Sequence, residues 1–383
     1  MECSGRTNSR SIQKGTGVNK KILVAFGTRP EIIKLAPVIQ ELKRSRLEVI
    51  SVHTGQHDEL AEDMLKLFQI APDYDLKSMH LTADLFELTE FLLPKLKELF
   101  ISEKPSAIVV QGDTTSSYLS ALAAFYLQIP VYHVEAGLRS FDNYNPFPEE
   151  INRKQISTLA SIHLAPTQIS RDNLIAENIN PETIYITGNT VIDALYQIKK
   201  STEYSSYKPS LIDEITDDQK LIVVTSHRRE NLGAPLRSIL NALIKILDRN
   251  PNIVIVYPAH PNPSVQELVN SNEFKHDRLK IISPLSYLAF HHLIERADLI
   301  LTDSGGLQEE AVALGKKMLV LRDTTERQEL IVSGFTKLVG ANEKKIITET
   351  EKALSSPVKN DIPNPYGNGD ASKKITEIIL HRN

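Results

Sequence analysis

The segment 133–153, HVEAGLRSFDNYNPFPEEINR, packs three glutamates, an aspartate, two arginines and a histidine around two prolines, directly after an apolar run. Such a mix is poor material for a core, because each buried charge needs a partner. It suits a polar cleft in which carboxylates move protons and arginines hold an anion. Upstream, Gln111-Gly112-Asp113-Thr114 also stands directly after an apolar run. Two charged turns, each closing a strand-like run, place a site at the carboxyl edge of a parallel sheet.

Outward from these turns, short β-branched runs alternate with longer amphipathic stretches. Strands are predicted at Ile22–Phe26, Val49–Val52, Ala107–Val110, Val131–Val134, Ile162–Ala165 and Ile184–Ile186. Helical patterns such as Ile32–Ser45 and Leu85–Glu103 lie between them, the second stopped by Glu103-Lys104-Pro105. A second series follows at Leu221–Thr225, Ile253–Tyr257, Ile281–Ile282, Leu299–Leu301, Met318–Leu321 and Lys337–Val339. This βαβ rhythm demands parallel strands with right-handed crossovers. The polar stretch 199–219 marks a linker between a Rossmann-like domain over 21–198 and a second over 220–363. The expected fold is therefore α/β: two doubly wound parallel-sheet domains facing each other across a cleft, a preferred place for a ligand.

Composition narrows the function. The 383-residue chain carries a net charge of -4, which gives no reason to expect a nucleic-acid or anionic-membrane partner. Cys3 is the single cysteine, so neither an intrachain disulfide framework nor a thiolate metal cluster is available, as suits a reducing, cytoplasmic setting. No apolar run approaches the roughly 20 residues of a membrane span. Residues 1–20 are polar and lack the apolar core of a signal peptide; a disordered tail is expected there.

Several turns carry candidate chemistry. Gly27-Thr28-Arg29-Pro30-Glu31 opens a helix after the first strand, where backbone amides, Arg29 and Lys34 could meet an anion; an ordinary strand–helix turn reads the same way. Asp303-Ser304-Gly305-Gly306 lets a phosphate approach the backbone, with Glu310 one turn on to accept hydroxyls of a ribose, while Asp303 could simply cap the helix. His227, Arg228 and Arg229 crowd one strand end, which is costly unless a polyanion is near, although internal Arg–Glu pairs would also satisfy them. His260, in Tyr257-Pro258-Ala259-His260-Pro261-Asn262-Pro263, reads first as a structural histidine. Arg322–Arg327 is a third Arg-bearing strand end. Asp113, Glu135, Glu149 and Glu150 could share one cleft, where crowding raises one carboxyl for general acid–base work; one of the two consecutive glutamates is expected to cap or flank its helix. No two-His-plus-carboxylate helix motif and no G-x-S-x-G elbow is present, so neither metal nor Ser-hydrolase chemistry is indicated.

Together these blocks closely resemble the non-hydrolysing UDP-N-acetylglucosamine 2-epimerases, a family with the GT-B fold. The resemblance runs from about Lys21 to the end, through GTRPEIIKLAP (27–37), HTGQH (53–57), QGDTT (111–115), HVEAGLRS (133–140) and PFPEEINR (146–153). It continues through TGNTVIDAL (187–195), HRRENLG (227–233), YPAHPNP (257–263), TDSGGLQEEA (302–311), LRDTTERQE (321–329) and NPYGNGDA (364–371). The resemblance implies interconversion of UDP-GlcNAc and UDP-ManNAc, through loss of the C2 proton and of UDP to a 2-acetamidoglucal, without NAD or metal. It implies proton transfer or sugar positioning by Asp113, Glu135 and Glu149, with His227 supporting diphosphate departure. Arg29 and Arg327, with the backbone of Ser304, Gly305 and Gly306, would hold the diphosphate, Lys34 would bind substrate, and Glu310 would bind the ribose. Arg139 and Arg153 become scaffold. A homodimer is implied, as is a C-terminal helix over 364–383 crossing back to the first domain.

Family members in bacteria often bind a second UDP-GlcNAc as activator, with contacts that fall here at Gln56, Glu59, Ala83, Glu149, Arg228 and His260. Glu59 and Ala83 stand where the family has glutamines. Ala83 cannot hydrogen-bond through its side chain and Glu59 adds negative charge, so weak or absent activation is expected. Other readings are a sister epimerase on another UDP-2-acetamido sugar, a hydrolysing relative releasing ManNAc, a GT-B glycosyltransferase and a silent sugar-nucleotide sensor. The intact PFPEEINR and HRREN blocks and carboxylate set disfavour the hydrolase and the sensor, and no acceptor groove or membrane patch is visible for the transferase.

Overall fold

The computed structural model describes residues 20–45, 47–55, 59–78, 84–207, 209–226, 228–356 and 363–382, with only the backbone of Glu59, Leu60 and Arg229. Of the sequence-predicted site residues, Gln56 and His227 lie outside the described residues, as do Ala83 and the expected tail.

The first sheet runs β1 (Lys21–Phe26), β2 (Glu48–His53), β3 (Tyr74–Asp75), β4 (Ala107–Gln111), β5 (Val131–Val134), β6 (Ile162–Ala165) and β7 (Ile184–Ile186) in sequence. In space the order is β3-β2-β1-β4-β5-β6-β7, every neighbour parallel. The second sheet holds β8 (Lys220–Thr225), β9 (Ile253–Pro258), β10 (Leu279–Ile282), β11 (Leu299–Thr302), β12 (Met318–Val320) and β13 (Thr336–Leu338). Its order, β10-β9-β8-β11-β12-β13, is again wholly parallel. Strands such as β4, buried along their whole length, read as continuous apolar runs because helices cover both faces.

Each sheet reverses its order once, at β1/β4 and at β8/β11. In open α/β sheets the crevice beyond the carboxyl ends at such a switch point is where ligands bind. The residues leaving those four strands include Gly27 and Thr28, Gly112–Thr114, Ser226 and Arg228, and Asp303 and Ser304 ahead of the helix start at Gly305. The topology therefore brings the charged turns of the two domains to one place.

The domains are also tied together. Two short helices, Thr202–Ser206 and Ser210–Asp213, occupy the polar segment between them, and the Tyr204 ring stacks on His292 at 3.9 Å. The last helix, Ala371–Arg382, packs on the first domain: Ala371 and Ser372 amides donate to Asp193 at 3.2 and 2.8 Å, and Arg382 Nε donates to Tyr185 at 2.7 Å. Its Ile375 and Ile379 join the same core as Ile32, Leu35 and Ile39 of the first helix, Arg29–Arg44.

Candidate active site

A cleft of about 820 Å³ opens between the two switch points. It is lined by Arg29, Lys34, Asp113, Glu135, Glu149 and Arg153 from the first domain, and by Arg228, His260, Ser304, Gly305, Gly306, Glu310 and Arg327 from the second. The volume lies within the usual range of about 300–1,000 Å³ for small-molecule sites.

Glu135 is a buried carboxylate held on several sides. It directly follows β5 with φ of 64°, a left-handed conformation rare for a side-chain-bearing residue and typical of functional positions. Lys34 Nζ lies 2.6 Å from each of its oxygens, Asn189 Nδ2 donates to it at 3.1 Å, and Gln111 Nε2 donates as well. Burial alone would push this carboxyl up; the Lys34 and Arg327 charges outweigh it and hold Glu135 below the ordinary value. The same pairing holds the buried Lys34 ammonium above its ordinary value against burial.

Asp113 is gripped by Arg153, whose Nε and Nη2 stand 2.7 and 2.6 Å from its Oδ2. The two consecutive glutamates divide their labour. Glu150 is fully buried and accepts from the Ser140 and Phe141 amides at 3.0 and 3.2 Å and from Arg153 at 3.0 Å, fixing the loop. Glu149 faces the cleft, with its Oε2 buried and without a hydrogen-bond partner among the described residues. Burial, joined by the Asp113 charge, raises its carboxyl above the ordinary value. Arg139 pairs with Glu177 at 2.6 Å and does not line the cleft, whereas Arg153 does while it holds Asp113.

On the opposite wall the helix Gly305–Ala313 points its start at the cleft. A Cβ on Gly305 would stand 2.7 Å from Arg327 Nη1, so this glycine is what admits the guanidinium beside the helix start. Arg327 is held there by Glu309, 3.0 Å from its Nε, and by Glu326. Glu310 accepts from Tyr287 Oη at 3.0 Å and lies 3.3 Å from His291 Nε2. Burial would raise it, but the His291 charge holds it low and ionised, a ready acceptor for hydroxyls. Arg29 sits with its guanidinium carbon 5.9 Å from the Tyr287 ring centroid.

Two expectations are corrected. Asp303 does not cap the following helix: Ser304 is the capping residue, and Asp303 instead accepts from Ser226 Oγ, the Arg228 amide and Asn231 Nδ2 at 3.2, 3.0 and 2.9 Å, locking the β8 turn onto the β11 turn. The amides of Gly27 and Thr28 are not open to an anion, because Glu31 accepts both at 3.0 and 2.7 Å. A carboxylate three residues into a helix commonly folds back this way, and GTRPE carries that signature.

Three participants escaped sequence reasoning: Gln111, Asn189 and Glu309. Each sits inside a recognised block, yet only the fold shows that it faces a carboxylate or guanidinium of the site. Among the described residues, no group of three or more His, Cys, Asp or Glu could hold a metal ion, and no helix is long and apolar enough to cross a membrane.

A family profile described as UDP-N-acetylglucosamine 2-epimerase matches residues 40–380. The chain belongs to the UDP-N-acetylglucosamine 2-epimerase family. The UDP-N-acetylglucosamine 2-epimerase of Bacillus subtilis is 43% identical over 365 residues, covering 94% of this chain and 95% of its own. The Neisseria meningitidis UDP-GlcNAc 2-epimerase, solved bound to UDP-GlcNAc, superposes with a TM-score of 0.87 at 40% identity, over 94% of this chain and 100% of that one. The Methanocaldococcus jannaschii enzyme, solved with UDP-GlcNAc and UDP, gives 0.81 at 34% identity, over 94% and 99%. The two-domain parallel α/β fold is thus the epimerase fold.

Proposed function

We propose that this chain interconverts UDP-GlcNAc and UDP-ManNAc by epimerisation at C2. The observation that carries this is one cleft, in a chain of the epimerase family, with Asp113, Glu135 and Glu149 on one wall and the Ser304–Gly306 turn, Glu310 and Arg327 on the other. The UDP moiety would lie on the second wall, its diphosphate at the glycine turn and Arg327, its ribose hydroxyls on Glu310. That leaves the sugar against the carboxylates.

The chemistry then follows. A cleft carboxylate takes the C2 proton while the C1–O bond breaks and its electron pair leaves with UDP, giving the 2-acetamidoglucal. The diphosphate oxygen re-forms the bond at C1 as a proton is delivered to the other face of C2. Two carboxyls of unlike affinity suit this exchange: Glu135, held ionised, is fit to accept a proton, and Glu149, raised, to deliver one. Arg29 and Lys34 add positive charge, and His227 would assist the departing diphosphate. None of these steps calls on NAD or a metal.

On this reading the domains are 21–198 and 220–363, joined through 199–219, with 364–383 returning to the first. The enzyme works as a cytoplasmic homodimer and shows weak or absent activation by its own substrate. Arg228 is held to Asp303, with Nε 3.0 Å from its carbonyl, and His260 lines the cleft. Deuterium exchange at C2 during turnover of UDP-GlcNAc tests the proposal.

A further inference from the structure

Asn189 joins the two walls of the cleft through one amide group. Its Oδ1 accepts from the Val191 amide at 3.1 Å, capping the helix Thr190–Lys199. That bond fixes the flip of the amide, so Nδ2 must point the other way. There it donates to Glu135 at 3.1 Å and to Glu309 at 3.0 Å, carboxylates of opposite domains. Glu309 is wholly buried on the helix Gly305–Ala313, out of reach of the cleft itself. Lys34 Nζ lies 3.8 Å from the same Glu309 oxygen that accepts from Asn189, and the other oxygen accepts from Arg327 Nε at 3.0 Å.

We propose that Glu309 is a positioning residue of the epimerase reaction, binding the guanidinium that holds the diphosphate and the Glu135 carboxylate into one unit across the domain boundary. Among the described residues, its hydrogen-bond partners are donors, Asn189 Nδ2 and Arg327 Nε, with the Lys34 ammonium farther off at 3.8 Å. Only an ionised carboxylate accepts from all of them; a protonated carboxyl, or a glutamine, turns an N–H or O–H against one. The charged and titratable groups around it are Lys34 from the first helix, Glu135 from the end of β5, Arg327 from the loop ahead of the helix Gln328–Val332, and the Tyr366 phenol from the C-terminal segment. Burial, with the Glu135 charge, outweighs Lys34 and Arg327 and pushes the Glu309 carboxyl up to about 7. The unit therefore assembles as pH rises through neutrality and loosens below it.

This inference rests on the epimerase reading, and the test separates the two. C2 deuterium incorporation from UDP-GlcNAc is followed from about pH 5.5 to 8.5 in wild type, Glu309→Gln, Asn189→Ser and the double variant, with thermal melting as a fold check. Serine keeps the helix cap but is too short to bridge the carboxylates. Wild type should lose kcat on the acid side of neutrality. Glu309→Gln should lower kcat roughly 10²-fold with a much smaller change in KM, and its profile should be flat through neutrality. Asn189→Ser removes a donor from both carboxylates and should move the acid limb upward in pH. The double variant should lose less than the two single losses combined, because the two act through one unit. Glu309→Gln within twofold of wild type, or a wild-type acid limb retained at reduced height, overturns the inference; so do additive losses. If Glu309→Gln does not fold, an unmoved acid limb in Asn189→Ser overturns it alone. A wild type that exchanges no deuterium defeats the epimerase reading instead.

Discussion

Lys34 Nζ stands 2.6 Å from both carboxylate oxygens of Glu135, and both residues are buried. Removing one member of such a pair leaves the other charge without compensation, which costs more than the pair itself contributes. Lys34→Met should lower unfolding free energy by about 3 kcal/mol at neutral pH, read from the urea midpoint. The sign with pH is fixed. Burial raises Glu135 and Lys34 is the largest influence holding it low, so without Lys34 the folded-state value rises, and the deficit is full at neutral pH and shrinks as acid protonates Glu135 in both states. A deficit that grows toward acid would place the instability elsewhere.

Asp113→Asn and Glu135→Gln should each lower kcat on the order of 10²–10⁴-fold while the protein still melts cooperatively. Near-normal rates would move proton transfer to other groups. Glu149→Gln should also slow turnover, but with an opposite effect on stability. A carboxyl whose folded value is raised contributes stability below its unfolded value and loses it as pH rises through the folded one. Replacing it should raise Tm by roughly 2 °C at neutral pH, a gain that vanishes below the ordinary carboxylate range.

The two glycines at the start of the helix Gly305–Ala313 should behave differently. A Cβ on Gly305 meets Arg327 at 2.7 Å, whereas on Gly306 it meets nothing within 4 Å among the described residues. Gly305→Ala should displace Arg327 and both destabilise the protein and weaken UDP binding. Gly306→Ala should leave Tm unchanged or slightly higher, by up to about 1 kcal/mol of helix preference, yet still weaken UDP binding by crowding the phosphate approach. Calorimetric titration with UDP beside thermal melting distinguishes the two; equal UDP affinity in Gly306→Ala would move the diphosphate off this turn.

Much of this architecture was legible in the chain, for a physical reason. Buried parallel strands leave uninterrupted apolar runs such as Ala107–Val110, and charged turns after them cannot be core, so the sheet edge bearing the site is written locally. The short edge strand Tyr74–Asp75 was not legible, because two exposed residues pair only by virtue of β2 beside them. Nor were Asn189 and Glu309: an asparagine that caps a helix and a glutamate one position before Glu310 acquire their roles only when two domains close on each other. The Asp303 cap failed for a related reason within the second domain, since the donors that engage Asp303 stand 72 to 77 residues away in sequence.

Initial rates against UDP-GlcNAc concentration should follow a hyperbola with a linear start, because Glu59 and Ala83 replace the glutamines that the family's activator site would use. Strong sigmoidicity that disappears in Gln56→Ala would show instead that the activator site is intact.

The most direct measurement is proton NMR of UDP-GlcNAc incubated with the enzyme in deuterated water, without added nucleotide cofactor. The expected result is loss of the C2 proton signal through deuterium incorporation, together with the appearance of UDP-ManNAc. No exchange with UDP-GlcNAc or any other UDP-2-acetamido sugar would contradict the epimerase reading, and accumulation of free ManNAc would show hydrolysis in its place.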